Sequence, residues 1–287
     1  MRYYELVEEG GRRLVAADDG TAYDLTAANG DLETFGDLAR AATISDRTPD
    51  EIASTHLDAA DRRSADEVAV DSEPPRDVGE VWAAGVTYKI SEEARREESG
   101  MPDMYLDVYE ADRPEIFFKA TQSRTVGPGE AVGIREDSDW DVPEPELGIV
   151  LHRDSIVGYT IGNDVSSRSI EGENPLYLPQ AKVYDRCCSL GPCIATEIAD
   201  PHDLAMSMTI TRDAEVLYDE ETSTGEMVRT VEELTSYFTR HNAVPEFSVL
   251  LTGTSLVPEQ PFTLQEGDDV RIEIDEIGTL RNTVVAV

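Results

Sequence analysis

Lysine is nearly missing from this chain. Of 24 basic residues only three, Lys89, Lys119 and Lys182, are lysine, and all fall between Gly85 and Asp185. A chain that otherwise uses arginine keeps lysine where arginine cannot serve. The ammonium is compact and can give up its proton when buried, which a guanidinium cannot. Positive charge of any kind is outnumbered: 60 Asp and Glu residues leave a net charge of −36 and a pI near 4.2. That balance argues against nucleic acid and anionic membrane surfaces as partners. The acid is dispersed rather than gathered in a tail, and 40% of residues are hydrophobic, as in a folded domain. The charge reads as a means of staying hydrated, such as a protein working in high salt needs.

Cysteine is also scarce. Cys187, Cys188 and Cys193 are clustered and odd in number. Adjacent cysteines bridge poorly, so small buried hydrophobes are preferred to a Cys-Cys-x4-Cys zinc site. The four histidines, His56, His152, His202 and His241, show no metal spacing, and His152 is read as a packing residue. No apolar run reaches membrane-spanning length and no secretory signal opens the chain; the expected location is the cytoplasm. A serine elbow, a phosphate loop and a dinucleotide fingerprint are all absent from the sequence.

Residues 1–63 read as a small α+β unit. Short strands at Arg2–Val7, Arg12–Ala17 and Thr21–Leu25 turn at Gly10-Gly11 and Asp18-Asp19-Gly20. Helices are expected over Asp31–Ala42 and, from the Thr48-Pro49-Asp50-Glu51 capping box, to about Ala60. The acidic, proline-bearing stretch 64–77 reads as a linker, and 78–287 as the main domain. There Ser91 caps a charged helix, Glu92 to Glu98, read equally as a lid or as plain surface. Strands dominate the remainder, with hairpins at Met206–Tyr218 and Asp269–Val287 and a helix capped by Thr230. The expected class is mixed α/β, predominantly antiparallel β.

The stretch Pro143–Leu190 carries the chemistry. Glu144 and Glu146 are two residues apart in an apolar run, so a strand points both to one face. Pro145 lacks an N–H and marks an edge or a strand start. Asp164 ends the next apolar run and arrives from the neighbouring strand. With 60 acidic residues a Glu-x-Glu pair also arises by chance. In an apolar setting, however, buried charges are rarely left unpaired. Three clustered carboxylates need a cation, and hard oxygen donors suit Mg²⁺, Mn²⁺ or Ca²⁺ better than zinc.

Taken together, these motifs resemble the fumarylacetoacetate hydrolase family. The resemblance rests on Glu144-Pro145-Glu146, the run Gly158 to Ser166, Lys182, Gly191-Pro192, Leu251-Thr252-Gly253-Thr254 and Gly278 to Asn282, in that order, and covers about Val81 to Val287. It implies a β-roll catalytic domain, a homodimer or homotetramer, and one divalent ion held by Glu144, Glu146 and Asp164. The stretches Phe117–Thr121, Trp140–Glu146 and Ile170–Lys182 are similar to the family's 2-keto-3-deoxy-pentonate dehydratases of archaeal pentose breakdown. Hydrolases of the family often carry a His-x-x-Glu pair after the Gly-x-x-Tyr strand. Here Gly85-Val86-Thr87-Tyr88 runs into Lys89-Ile90-Ser91, with serine where that histidine would stand. The departure favours elimination over hydrolysis.

The chemistry that follows is loss of water from a small 2-keto-3-deoxy sugar acid, giving 2,5-dioxopentanoate. An ion on the α-oxo acid acidifies the C3 protons. Lys182 is the expected base, its pKa lowered by burial against the pull of the carboxylates. Glu115, on the same strand face as Lys119, is the candidate donor to the leaving C4 hydroxyl, with a plain salt bridge as the alternative. Lys119 is assigned to the substrate carboxylate or carbonyl. Arg168, Glu171 and Gln180 are assigned to the sugar hydroxyls, and Thr254 to the carboxylate end. The competing readings are an acylpyruvate hydrolase, an oxaloacetate decarboxylase-type C–C cleavage and a non-catalytic keto-acid binder.

Overall fold

The structure, a computed structural model, describes residues 1–75, 77–88, 108 and 111–287. The expected helix Glu92 to Glu98, with Lys89 and Ser91, lies outside the described residues. Glycine and aspartate turns fold the start of the chain into short antiparallel strands: β1 (Arg2–Glu8), β2 (Gly11–Asp18), β3 (Thr21–Asp24) and β4 (Asp61–Ser64). Between β3 and β4 come α1 (Leu25–Ala28), α2 (Phe35–Ser45) and α3 (Pro49–Ser54). α2 starts later than Asp31 because Thr34 and Asp37 form the capping box. α3 uses the expected Thr48–Glu51 box but stops at Ser54, followed by a 3₁₀ turn at Leu57–Ala59. The stretch 64–77, read as a linker, carries α4 (Ala65–Val70) with Ala65 and Val68 buried, and Glu73 bridges to Glu5. This connection is therefore packed onto β1.

The later strands are β5 (Glu80–Gly85), β6 (Glu115–Thr121), β7 (Thr125–Val126), β8 (Ala131–Ile134), β9 (Asp141–Val142), β10 (Pro145–His152), β11 (Ser155–Asp164), β12 (Ser166–Ser167), β13 (Cys188–Ala195), β14 (Ala205–Arg212), β15 (Glu215–Ser223), β16 (Phe247–Leu251), β17 (Asp269–Ile274) and β18 (Gly278–Ala286). Helices α5 (Arg168–Glu173), α6 (Leu178–Lys182) and α7 (Val231–Thr239) interrupt them. An eleven-stranded sheet runs β4-β3-β2-β1-β13-β11-β10-β16-β5-β6, with β7 beside β13; a five-stranded sheet runs β15-β14-β17-β18-β8. Most pairs are antiparallel, as expected, and the parallel ones are β16–β5, β13–β7 and β18–β8. Antiparallel pairing of β1 with β13, with Arg2 opposite Ala195 and Tyr3 opposite Ile194, carries the large sheet through both parts of the chain.

Alternation on β10 places the core. Leu147, Ile149 and Leu151 face the five-stranded sheet and pack with Met206, Met208, Ile210, Ile272 and Leu280. Val150 faces the other way, into a second cluster with Val249, Leu251, Leu190, Phe35 and Leu38. Pro145 does start its strand, yet β10 is central, between β11 and β16, and buried at every position. His152 packs as expected, stacked 4.6 Å from the Phe247 ring and hydrogen-bonded to Thr43 at 3.1 Å. The three cysteines are buried free thiols, and burial pushes Cys193 up to about 12.

Candidate active site

Register decides where the carboxylates meet. Pro145 lies opposite Asn163 and Glu146 opposite Gly162, and the Asp164 amide donates to the Glu144 carbonyl at 2.9 Å. Glu144 and Asp164 are thus cross-strand neighbours on one face, with Glu146 two places along that face. All three are buried, and one oxygen of each lies within 4.8 Å of the others; among the described residues they form the cluster able to hold a metal ion. Donors of an octahedral ion with roughly 2.1 Å bonds lie about 3.0 Å apart when adjacent and about 4.2 Å when opposite, so three oxygens gathered this closely suit one small divalent cation. The donors are hard oxygens, which agrees with Mg²⁺.

Buried charge needs partners, and the chain supplies three cations. Lys182, at the end of α6, donates to Glu144 Oε2 at 2.8 Å, Asp164 Oδ2 at 3.1 Å and Ser166 Oγ at 2.6 Å. Arg168, the first residue of α5, pairs with Glu144 Oε1 at 3.0 Å. Lys119 Nζ lies 2.5 Å from Asp164 Oδ1 and donates to the carbonyls of Val165 and Lys182. Glu146 instead accepts the Gly253 amide at 2.6 Å. Gly253 sits at φ +80°, and a Cβ there would meet Thr87 Oγ1 at 2.2 Å, so only glycine brings that amide in.

The carboxylates therefore differ. Burial raises Glu144, but Lys182 and Arg168 outweigh it and hold the group down to about 2. Burial, with Asp164 and Glu144 alongside, pushes Glu146 well up. A cation between the three would relieve that repulsion. Burial alone would lower Lys182, as expected from sequence, but Asp164, Glu144 and Glu171 win and raise it. Glu115 is pushed up to about 7, first by burial and then by Glu171, against the pull of Lys182. Gly85 makes room for it, since a Cβ at Gly85 would meet Glu115 Oε2 at 2.1 Å.

The cleft is lined by Glu115, Glu144, Glu146, Asp164, Arg168, Glu171, Lys182 and Thr254 from the predicted set. Two predicted residues are not among its described lining. Lys119 is fully buried behind Asp164, because the β5–β6 register shifts between Val81 and Trp82 and leaves Lys119 as the extra residue. Gln180 is exposed, since α6 turns it to solvent while Leu178 lines the cleft. Sequence reasoning gave no role to Ser166, Gly253 or Tyr88. The first two lie inside the Gly158–Ser166 and Leu251–Thr254 motifs, and Tyr88 ends the Gly85-Val86-Thr87-Tyr88 run just past β5.

The profile described as Fumarylacetoacetate (FAA) hydrolase C-terminal matches residues 80–285. A probable 2-keto-3-deoxyxylonate dehydratase of Haloferax volcanii is 66% identical over 291 residues, covering all of both chains. The 2-dehydro-3-deoxy-D-arabinonate dehydratase of Saccharolobus solfataricus is 46% identical over 72% of each chain. A solved structure of 2-keto-3-deoxy-D-arabinonate dehydratase complexed with magnesium and 2,5-dioxopentanoate superposes with a TM-score of 0.83 at 36% identity, over 100% of this chain and 99% of that one.

Proposed function

The chain belongs to the fumarylacetoacetate hydrolase family, and on that premise we propose that it is a hydro-lyase converting a 2-keto-3-deoxy-pentonate to 2,5-dioxopentanoate. The observation that carries the reading is the buried triad Glu144, Glu146 and Asp164 with Lys182 bridging two of its members. The dehydratases to which the chain is similar over most or all of its length support the same substrate class.

Glu144, Glu146 and Asp164 would hold Mg²⁺, and the same oxygens would accept Mn²⁺ or Ca²⁺. Bound there, a divalent ion would supply Lewis-acid polarisation of the keto group, which would make the C3 protons acidic. Lys182 takes a C3 proton. The neighbouring carboxylates favour its ammonium form, so it serves as a base only where their charge is neutralised. Glu115, protonated up to about pH 7, gives its proton to the leaving C4 hydroxyl, which departs as water. The resulting 3,4-unsaturated 5-hydroxy keto acid then tautomerises, losing a C5 proton and the hydroxyl proton and regaining protons at C3 and C4, to the C5 aldehyde of 2,5-dioxopentanoate. Arg168 and Glu171, three apart on α5, bind the sugar hydroxyls, and Thr254 binds the carboxylate end. Phe117, Leu178 and Val257 give the cleft an apolar side that limits water at the reacting carbons.

The reaction places the chain in pentose catabolism, of the xylose or arabinose type. The net charge of −36 supports work in a salty cytoplasm, and a homo-oligomer accompanies the family reading. Incubation with Mg²⁺ and 2-keto-3-deoxyxylonate at high salt should yield 2,5-dioxopentanoate, followed by NMR. Pyruvate plus a two-carbon fragment would mean aldol-type cleavage. Hydrolysis of an acylpyruvate, with no turnover of the sugar acid, would replace the dehydratase reading by a hydrolase.

A further inference from the structure

Lys119 is a buried ammonium with no access to the cleft, in a chain holding only three lysines. Its surroundings join two elements that carry the chemistry. It sits 2.5 Å from Asp164 Oδ1, while the other oxygen, Oδ2, is the one that faces Lys182 at 3.1 Å. It also donates to the Val165 carbonyl at 2.8 Å, next to Asp164, and to the Lys182 carbonyl at 2.6 Å, at the end of α6. α6 is a five-residue helix, too short to hold its last residue by itself. Lys119 is the unpaired residue at the register shift in β6, and its ammonium meets these three oxygens. They surround a point, which suits an ammonium and not the flat fork of a guanidinium.

We propose that Lys119 is a positioning residue. It fixes the side chain of Asp164 by Oδ1, so that Oδ2 stays turned toward Lys182 and the carboxylate cluster, and ties the end of β11 to the backbone of Lys182, so ligand and base keep one spacing. The proposal rests on the dehydratase reading for the identity of the site. Its test is Lys119→Met, of similar length and without the charge, compared with Lys119→Arg and the wild type. Folding is followed by circular dichroism, Mg²⁺ affinity by isothermal titration calorimetry, and turnover at saturating Mg²⁺.

The Met variant should fold and bind Mg²⁺ about 10–100-fold more weakly, as loss of a ligand's supporting partner does. Its kcat should fall while KM stays near the wild-type value, because substrate does not touch Lys119. Arginine should fold but restore neither quantity. Wild-type Mg²⁺ affinity and kcat in the Met variant would overturn the proposal. So would failure of both variants to fold, which would make the ammonium a requirement of the fold instead of the site. A wild type that binds no Mg²⁺ would sink the dehydratase reading itself.

Discussion

Along β17 in the five-stranded sheet, Val270, Ile272 and Ile274 are buried while Arg271 faces water. Along β10 in the large sheet every residue is buried, and the strand runs into Glu146 and Glu144. The first region obeys a two-residue alternation and contributes nothing to the cleft lining. The second places three acids and three basic groups, nearly all of them buried, around one cleft. Burial stabilises the first at about 25 cal/mol per Å² of apolar surface. In the second, desolvation of each ion costs several kcal/mol and close pairing offsets it. Charge gathered in a core at such cost belongs to chemistry, while the alternating sheet supports it.

The contrast is sharpest in two substitutions. Lys182→Met should lower kcat by about 10²–10⁴-fold, the contribution of a positioned base, while Mg²⁺ binding and the fold persist. Activity near wild type would remove Lys182 from the role of base. Ile272→Ala, in the middle of β17 between Met208 and Leu280, should do the reverse. It should cost about 2–5 kcal/mol of stability in a urea titration, from lost contacts and a cavity, with kcat per folded molecule unchanged. A variant equally damaged in kcat would mean that the two sheets are not separable in this way.

The same contrast governs what could be read from the sequence. The two hairpins of the five-stranded sheet were legible because alternation in Met206–Ile210 and Asp269–Val287 is local, and the caps at Thr48 and Thr230 are spelled within four residues; the pairing of β14 with β17 and of β18 with β8 was not. The common face of Glu144 and Glu146 followed from strand parity alone. The bulge at Lys119 was not legible, since the register shift in β6 is set by pairing with β5, some 35 residues earlier in the chain. Gly253 reaches Glu146 across 107 residues, a contact that composition does not announce. The carboxylates' victory over burial at Lys182 is a matter of distances of 2.8 and 3.1 Å, which no sequence pattern carries.

A smaller effect separates the regions by pH. Glu115 is raised to about 7 from an ordinary 4.5, chiefly by burial, then by Glu171, with Lys182 opposing. The folded protein thus keeps a proton that the unfolded chain releases near pH 4.5. Stability from this group is fully present below that pH, declines as pH rises toward 7 and is lost above it. As the acid in the reaction, Glu115 must be protonated, so kcat/KM should fall about tenfold per pH unit above about 7. Glu115→Gln should reduce the stability slope between those pH values, leaving the part contributed by Asp141, raised to about 6 by burial, and by Glu146, and should remove the alkaline limb of the residual activity. Ile272→Ala, which touches no titrating group, should keep both. A wild-type profile flat to pH 9 would return Glu115 to the role of a plain buried carboxyl and leave the leaving hydroxyl to another donor.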